Sequence, residues 1–178
     1  MNKTSVSDEA EQVMLQKLKV ECGHNTVSKL ETMFKDIKMS KEIVEDFRAG
    51  YDNSNVVENI DFSVEILTSG HWPYQESPTY KLPKQMQNVA SRFQHFYSNK
   101  FKNRKMIWLS NHGKVQLQTT YLSKNYQIIA NCFQAAIFIL FNDNEILTYQ
   151  DIKDRCNMAD ADLTNALLKL CNPKLKLI

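Results

Sequence analysis

Up to about residue 50 of this chain apolar residues recur every three or four positions, and soon after Asn59 they begin to recur every second position. That change of period constrains the fold more than any bulk composition. A 3.6-residue stripe buries itself as a helix, and a two-residue alternation as a strand. Before the change, Met14, Leu15, Leu18 and Cys22 predict a helix from Ser7, its expected N-cap, with Gly23 as the stop. Val27, Leu30, Phe34 and Ile37 predict a second helix over 26–37. Ser40 is expected to cap a third, with Ile43, Val44, Phe47 and Tyr51 facing inward.

After the change, DFSVEIL alternates Phe62, Val64 and Ile66 with Ser63 and Glu65, predicting a strand with one wet face. The loop GHWPYQESPTYKLP then leads into a helical pattern from Lys84 to Tyr97. Three strands are predicted next, KMIWLS, KVQLQTTYL and NYQIIA, joined by short turn-forming connectors into an antiparallel meander. In the first, Met106 and Trp108 oppose Ile107 and Leu109, so burial on both faces is expected. From Asn131 the chain turns helical again. The run to Phe141 is apolar all round, Thr148 and Asp151 form a modified capping box, and Leu163, Leu167 and Leu170 draw one face of a last helix before the terminal KLKLI. Three helices followed by a strand is the order of a winged-helix module with its wing cut short. The expected fold class is therefore α+β: a helical-bundle end over 1–58, an antiparallel-rich α/β sheet domain over 59–130, and a winged-helix module over 131–178.

Charge and chemistry narrow the function. With 22 basic and 20 acidic residues the net charge is only +2, so a basic function has to be local. The longest apolar run, CFQAAIFILF, is too short to span a bilayer, and the N-terminus lacks the apolar core of a secretory signal. Cys22, Cys132, Cys156 and Cys171 lie in patterned apolar segments, where reduced thiols are expected. Cys22 and His24 are the one close Cys/His pair, and without a second pair no zinc site is expected. His24, His71, His95 and His112 are scattered, and no nucleophile elbow, HExxH, P-loop or dinucleotide fingerprint occurs, so neither catalysis nor a cofactor is expected.

Three stretches remain as interaction candidates. KFKNRKMIWL, from Lys100 to Leu109, places four cations before an apolar run; it reads either as a solvated helix-to-strand junction or as a partner surface. The C-terminal helices could form a DNA-reading module, but Asp160 and Asp162 open the would-be recognition helix and oppose that use. His71 and Trp72 sit in a loop that reads as a cap over the sheet or as a partner-facing surface.

Taken in order, DFSVEILTSGHWPYQ, FYSNKFKNRKMIWL and CFQAAIFILFN resemble the cullin homology region of ubiquitin-ligase scaffolds, and LKVECGHNTVSKLETMFKDIKMSKE resembles the helical segment leading into it. The wording DFSVEIL-TSGHWP is most similar to the cullin one subtype. The resemblance implies a non-catalytic scaffold of a cullin-RING ubiquitin ligase, serving ubiquitin-dependent degradation in cytoplasm and nucleus. The implied partner is a RING-box zinc protein that adds a strand to the cullin sheet, with a ubiquitin-conjugating enzyme recruited indirectly and neither nucleic acid nor membrane involved. The residues it implies for that docking are Phe62, Val64, Ile66, Leu67, Arg104, Lys105, Met106, Ile107, Trp108 and Leu109, with Arg104, Lys105 and Trp108 matching a "GRKLxW" motif. Asn103 replaces the motif's glycine, which suits a left-handed position, and Met106 replaces its leucine. The adaptor-binding repeats and the second winged helix with the modified lysine are not matched, so adaptor binding and that modification are not expected of this segment. The alternative from a different class is a winged-helix nucleic-acid binder using the basic cluster.

Overall fold

The computed structural model describes residues 8–50, 60–74, 78, 80–119 and 125–171. They fall into two compact units, 1–74 and 75–178.

The first unit is a helical hairpin with an extended segment laid along it. Helix α1 (Asp8–Cys22) ends at Gly23, whose φ of +80° is the left-handed conformation a glycine stop supplies. Helix α2 follows, His24–Gly50. Leu15 and Val27 are buried between the helices, and a Lys19–Glu31 ion pair of 3.0 Å bridges them. Met14 and Cys22, expected on the inner stripe of α1, are exposed. The Ser7 cap lies outside the described residues.

The two helices expected over 26–37 and 40–51 are one helix of 27 residues, about 40 Å long. No glycine or proline stands between Asn25 and Ala49 to break it. Ser40 does not cap: its hydroxyl turns back onto the Asp36 carbonyl at 2.7 Å, the bond by which a mid-helix serine stays within the helix.

The second unit is α+β. Helix α3 (Lys84–Lys100) buries Phe93 and Tyr97. A short 3-10 turn (Ser110–His112) precedes strand β1 (Lys114–Gln118), which pairs antiparallel with β2 (Gln127–Asn131) in the register Lys114↔Asn131 to Gln118↔Gln127. Beyond β1, Thr119 closes the hairpin: its N–H donates to the Tyr126 carbonyl, and its hydroxyl accepts from the Tyr126 N–H, both at 3.0 Å. The expected three-strand meander is thus a two-strand hairpin among the described residues. KMIWLS contributes no ladder, and the far end of KVQLQTTYL lies outside them.

Three helices complete the unit: α4 (Cys132–Leu140), α5 (Tyr149–Cys156) and α6 (Asp160–Leu170). Each of the first two starts at a full capping box. Asn131 and Gln134 exchange bonds of 2.8 and 3.0 Å, and Thr148 and Asp151 bonds of 3.2 and 2.9 Å. Asn157 ends α5 in the left-handed region, φ 48°. Phe133, Ile137, Ile152, Met158, Leu163 and Leu170 form the shared core, with Tyr80 packed edge-on to Phe133 at 4.8 Å. The expected wing strand, KLKLI, lies outside the described residues, among which these helices form a three-helix cluster.

Candidate partner-docking site

The expected docking residues fall in both units, and each group is positioned by different means. In the first unit residues 60–68 form no ladder among the described residues; they run antiparallel along α2, held by side chains of that helix. Arg48 donates to the Asp61 carboxylate (2.9 Å) and the Phe62 carbonyl (3.2 Å), and Phe62 packs edge-on to Phe47 at 6.3 Å. One turn apart further up the helix, Ser40 and Asp36 take over. The Ser40 hydroxyl accepts from the Ile66 N–H at 2.7 Å and lies 3.1 Å from the Ile66 carbonyl. Asp36, 2% exposed, accepts from the Thr68 N–H and hydroxyl at 2.7 Å each and from the Trp72 indole at 2.9 Å.

The spacing explains why this works. Four residues of helix rise about 6 Å and two residues of extended chain about 6.6 Å, so side chains at i and i+4 of α2 meet the N–H groups of alternate residues on the segment. A buried carboxylate with three donors is also one that burial can tolerate. Phe62, Val64, Ile66 and Leu67 are half-buried, while Ser63 and Glu65 are exposed. Because the Ile66 and Thr68 N–H groups face α2, those of Glu65 and Leu67 face the opposite edge, where the described residues show no backbone bond.

Periodicity does not single out Asp36 and offers Ser40 only as a cap, although a signal is present: two polar residues four apart interrupt the stripe carried by Phe34, Ile37 and Val44. Within the first unit the start of the loop, residues 70–74, is tied to α2 rather than to a sheet. Trp72 is anchored on Asp36 and stacked on Tyr74 at 6.0 Å.

In the second unit the basic run sits where α3 ends. The Phe101 N–H closes on the Tyr97 carbonyl at 2.8 Å, and the Arg104 N–H on the Phe101 carbonyl at 3.2 Å. Asn103 lies inside this turn without a positive φ, so the position is not left-handed and the change from the motif's glycine carries no backbone strain. Lys100 lies over Phe96 (5.8 Å) and Phe101 (5.9 Å), and the Arg104 guanidinium over Phe101 at 4.6 Å.

Beyond the turn, Met106 and Trp108 point inward and Trp108 meets Phe93 edge-on at 6.2 Å, whereas Ile107 is 59% exposed. The expected burial on both faces is therefore wrong. Among the described residues no strand ladder lies beside this stretch, and its Trp108 face is covered by α3. Leu109 is half-buried, and Arg104 and Lys105 are exposed.

The described residues contain no cluster of His, Cys, Asp and Glu suited to a metal, and none of their helices is long and apolar enough to cross a membrane. Burial pushes the Cys132 and Cys156 thiols and the Tyr80 phenol upward, which disfavours their nucleophilic forms. At the start of α6, Asp160 is engaged by Lys153 at 2.7 Å and by the Tyr149 hydroxyl at 3.0 Å; these bonds hold its carboxyl below the ordinary range. An anionic, internally committed helix start is a poor reader of DNA.

Comparison with known proteins bears on the whole chain. Sequence models of the Cullin alpha+beta domain and the Cullin alpha solenoid domain match residues 66–178 and 1–44. Cullin-3 of Dictyostelium discoideum is 34% identical over 174 residues, Cullin-1 of the same organism 35% over 181, and mouse (Mus musculus) Cullin-4A 33% over 174. Each alignment covers 98% of this chain and 23% of the relative, so the chain spans about a quarter of the length of these proteins. Identities this close do not single out the cullin one subtype. Two matching domain models in the right order, with relatives aligned over nearly all its residues, place this chain in the cullin family.

Proposed function

We propose that this chain is a non-catalytic scaffold segment of a cullin-RING ubiquitin ligase, and that it docks the RING-box zinc subunit by strand addition. The observation carrying this reading is the segment Phe62–Leu67. One of its backbone edges is engaged by Ser40, while the Glu65 and Leu67 groups on the other make no backbone bond among the described residues. A row of such groups is what an added strand pairs with. Residues 104–109 supply a second unladdered stretch, with Met106 and Trp108 anchored inward and Ile107 presented outward. In this role the ligase chemistry belongs to the partners, including the ubiquitin-conjugating enzyme, in cytoplasm and nucleus. The wording of DFSVEILTSGHWP favours the cullin one subtype.

Co-expression with a RING-box protein followed by gel filtration tests the reading. Co-elution is expected, and Glu65→Pro, which removes an outward N–H without touching the α2 contacts, is expected to abolish it. Absence of co-elution with both partners folded refutes the docking, and a complex that survives both Glu65→Pro and Trp108→Ala refutes these strands as the dock.

A further inference from the structure

The second unit holds a polar cleft of about 260 Å³ where three elements meet: Asn111 of the 3-10 turn, Asn131 at the start of α4, and Asp162, Asn165 and Lys169 along α6. The α6 residues stand at i, i+3 and i+7 and so share one face of that helix. None of the three makes a hydrogen bond or ion pair among the described residues, although Asp162 is half-buried. Asp162 and Lys169 lie two turns apart, about 10 Å along the axis. Helix side chains lean toward the N-terminus and the longer lysine leans further, so the charged ends are closer than the Cα atoms, yet they form no bridge. The Asn131 Oδ1 is taken by the Gln134 N–H at 2.8 Å, which leaves its side-chain N–H groups as donors.

We propose that this cleft binds an arginine bearing a free carboxylate, either the amino acid itself or the last residue of a peptide, with the guanidinium on Asp162 and the carboxylate on Lys169. One anion and one cation held apart on a single face call for a ligand whose opposite charges are similarly spaced. In extended arginine the guanidinium and carboxylate carbons are about 7–8 Å apart, whereas the charges of a simple zwitterion sit on adjacent carbons. The guanidinium fork takes a carboxylate through paired N–H bonds, and its remaining N–H groups find acceptors in side-chain amides such as that of Asn165. Phe133 and Ala166, nearly buried, also line the cleft and give the methylene stem an apolar wall.

Other ligands fit less well. A phosphate or other simple anion meets Asp162 as well as Lys169, and the volume falls below the range of about 300–1,000 Å³ that drug-sized ligands occupy. None of the cleft residues belongs to the proposed strand-addition site, so this reading stands or falls separately from that one.

The test is an NMR titration of the full chain with L-arginine, with citrulline, which carries a neutral urea in place of the guanidinium, and with agmatine, which lacks the carboxylate. Arginine is expected to give saturable shifts of the Asn131 and Asn165 side-chain amides, and citrulline and agmatine each to bind about tenfold more weakly. Asp162→Asn is expected to remove the preference for arginine over citrulline and keep that over agmatine; Lys169→Gln is expected to do the converse. Lys169 is exposed, so its variant carries the test if Asp162→Asn disturbs the start of α6. A Gly-Gly-Arg peptide separates the two sources: tighter binding than arginine assigns the cleft to a peptide C-terminus, and otherwise it belongs to the free amino acid, while the amidated peptide is expected to bind no better than agmatine. No saturable shifts with either arginine or the peptide at millimolar concentration, citrulline or agmatine equal to arginine, or preferences unchanged in both variants each overturns the proposal.

Discussion

Replacing Asp36 with alanine should release the segment that carries the first group of docking residues. The carboxylate accepts three hydrogen bonds, from the Thr68 N–H and hydroxyl and from the Trp72 indole, while itself only 2% exposed. Hydrogen bonds to a charged acceptor contribute about 1.5–3 kcal/mol each; with the exposed Thr68 hydroxyl able to rebond to water, the loss for Asp36→Ala comes to about 4 kcal/mol. Asp36→Asn keeps the geometry, because one amide oxygen can still accept from the Thr68 N–H and the indole while the Thr68 hydroxyl reverses to accept from the amide. It forfeits only the charge assistance, about 2 kcal/mol. Thr68→Val removes one exposed bond, about 1 kcal/mol.

Urea unfolding followed by Trp72 emission, in a Trp108→Phe background that leaves one of the chain's two indoles, reads the first unit alone. The expected order is parent, Thr68→Val, Asp36→Asn, Asp36→Ala, with red-shifted native emission in the last. An Asp36→Ala protein within about 1 kcal/mol of its parent would show that the segment is held by its apolar contacts, and the reasoning would fail.

Three further outcomes are expected. A side-chain carbon at Gly113 would collide with the Cys132 sulfur and crowd the Ser110 carbonyl at 3.3 Å, so Gly113→Ala should destabilise the second unit by about 1–3 kcal/mol in thermal melts, and less in a Cys132→Ala background. Cys22 and Cys171 are exposed, whereas Cys132 and Cys156 are buried with their thiols pushed upward; a thiol reagent should label two sites quickly and the other two only on unfolding. The Asp151 carboxyl is held below its ordinary value by the Thr148 hydroxyl and backbone, and that of Asp160 by Lys153 and Tyr149. Their contribution is complete above the unfolded carboxylate value of about 4 and is lost as pH falls through the lower folded values, so melts should be flat from neutral pH to about 5 and then decline. Thr148→Ala should lower the neutral-pH midpoint and remove part of that acid-side decline.

The C-terminal helices were legible because each carries its signals locally: the Thr148/Asp151 box and the Leu163 stripe state where a helix starts and what it buries. The single helix α2 was misread for a related reason. A serine at a plausible cap position looks the same in sequence whether its hydroxyl bonds forward to free N–H groups or back to the Asp36 carbonyl. The strands were less legible still, since alternation tells which face is wet but not what lies beside the edge. Phe62–Leu67 alternates as predicted and is yet paired with side chains of a helix. In KMIWLS, apolar residues on both faces suggested double burial, and the outward one, Ile107, is instead exposed. The basic run is plain in the sequence, but its setting is hidden by a net charge that averages an acid-free stretch with two acidic flanks.

The match between one helical turn of α2 and two residues of extended chain limits how this region can vary. The contacts at Phe62, Ile66 and Thr68 are fixed in phase with Arg48, Ser40 and Asp36, and a slip of one residue would turn the bonded groups outward and exchange the buried side chains for exposed ones. Substitutions on the wet face leave that phase intact. A deletion or insertion between them does not, so this part of the chain can change its letters far more freely than its length.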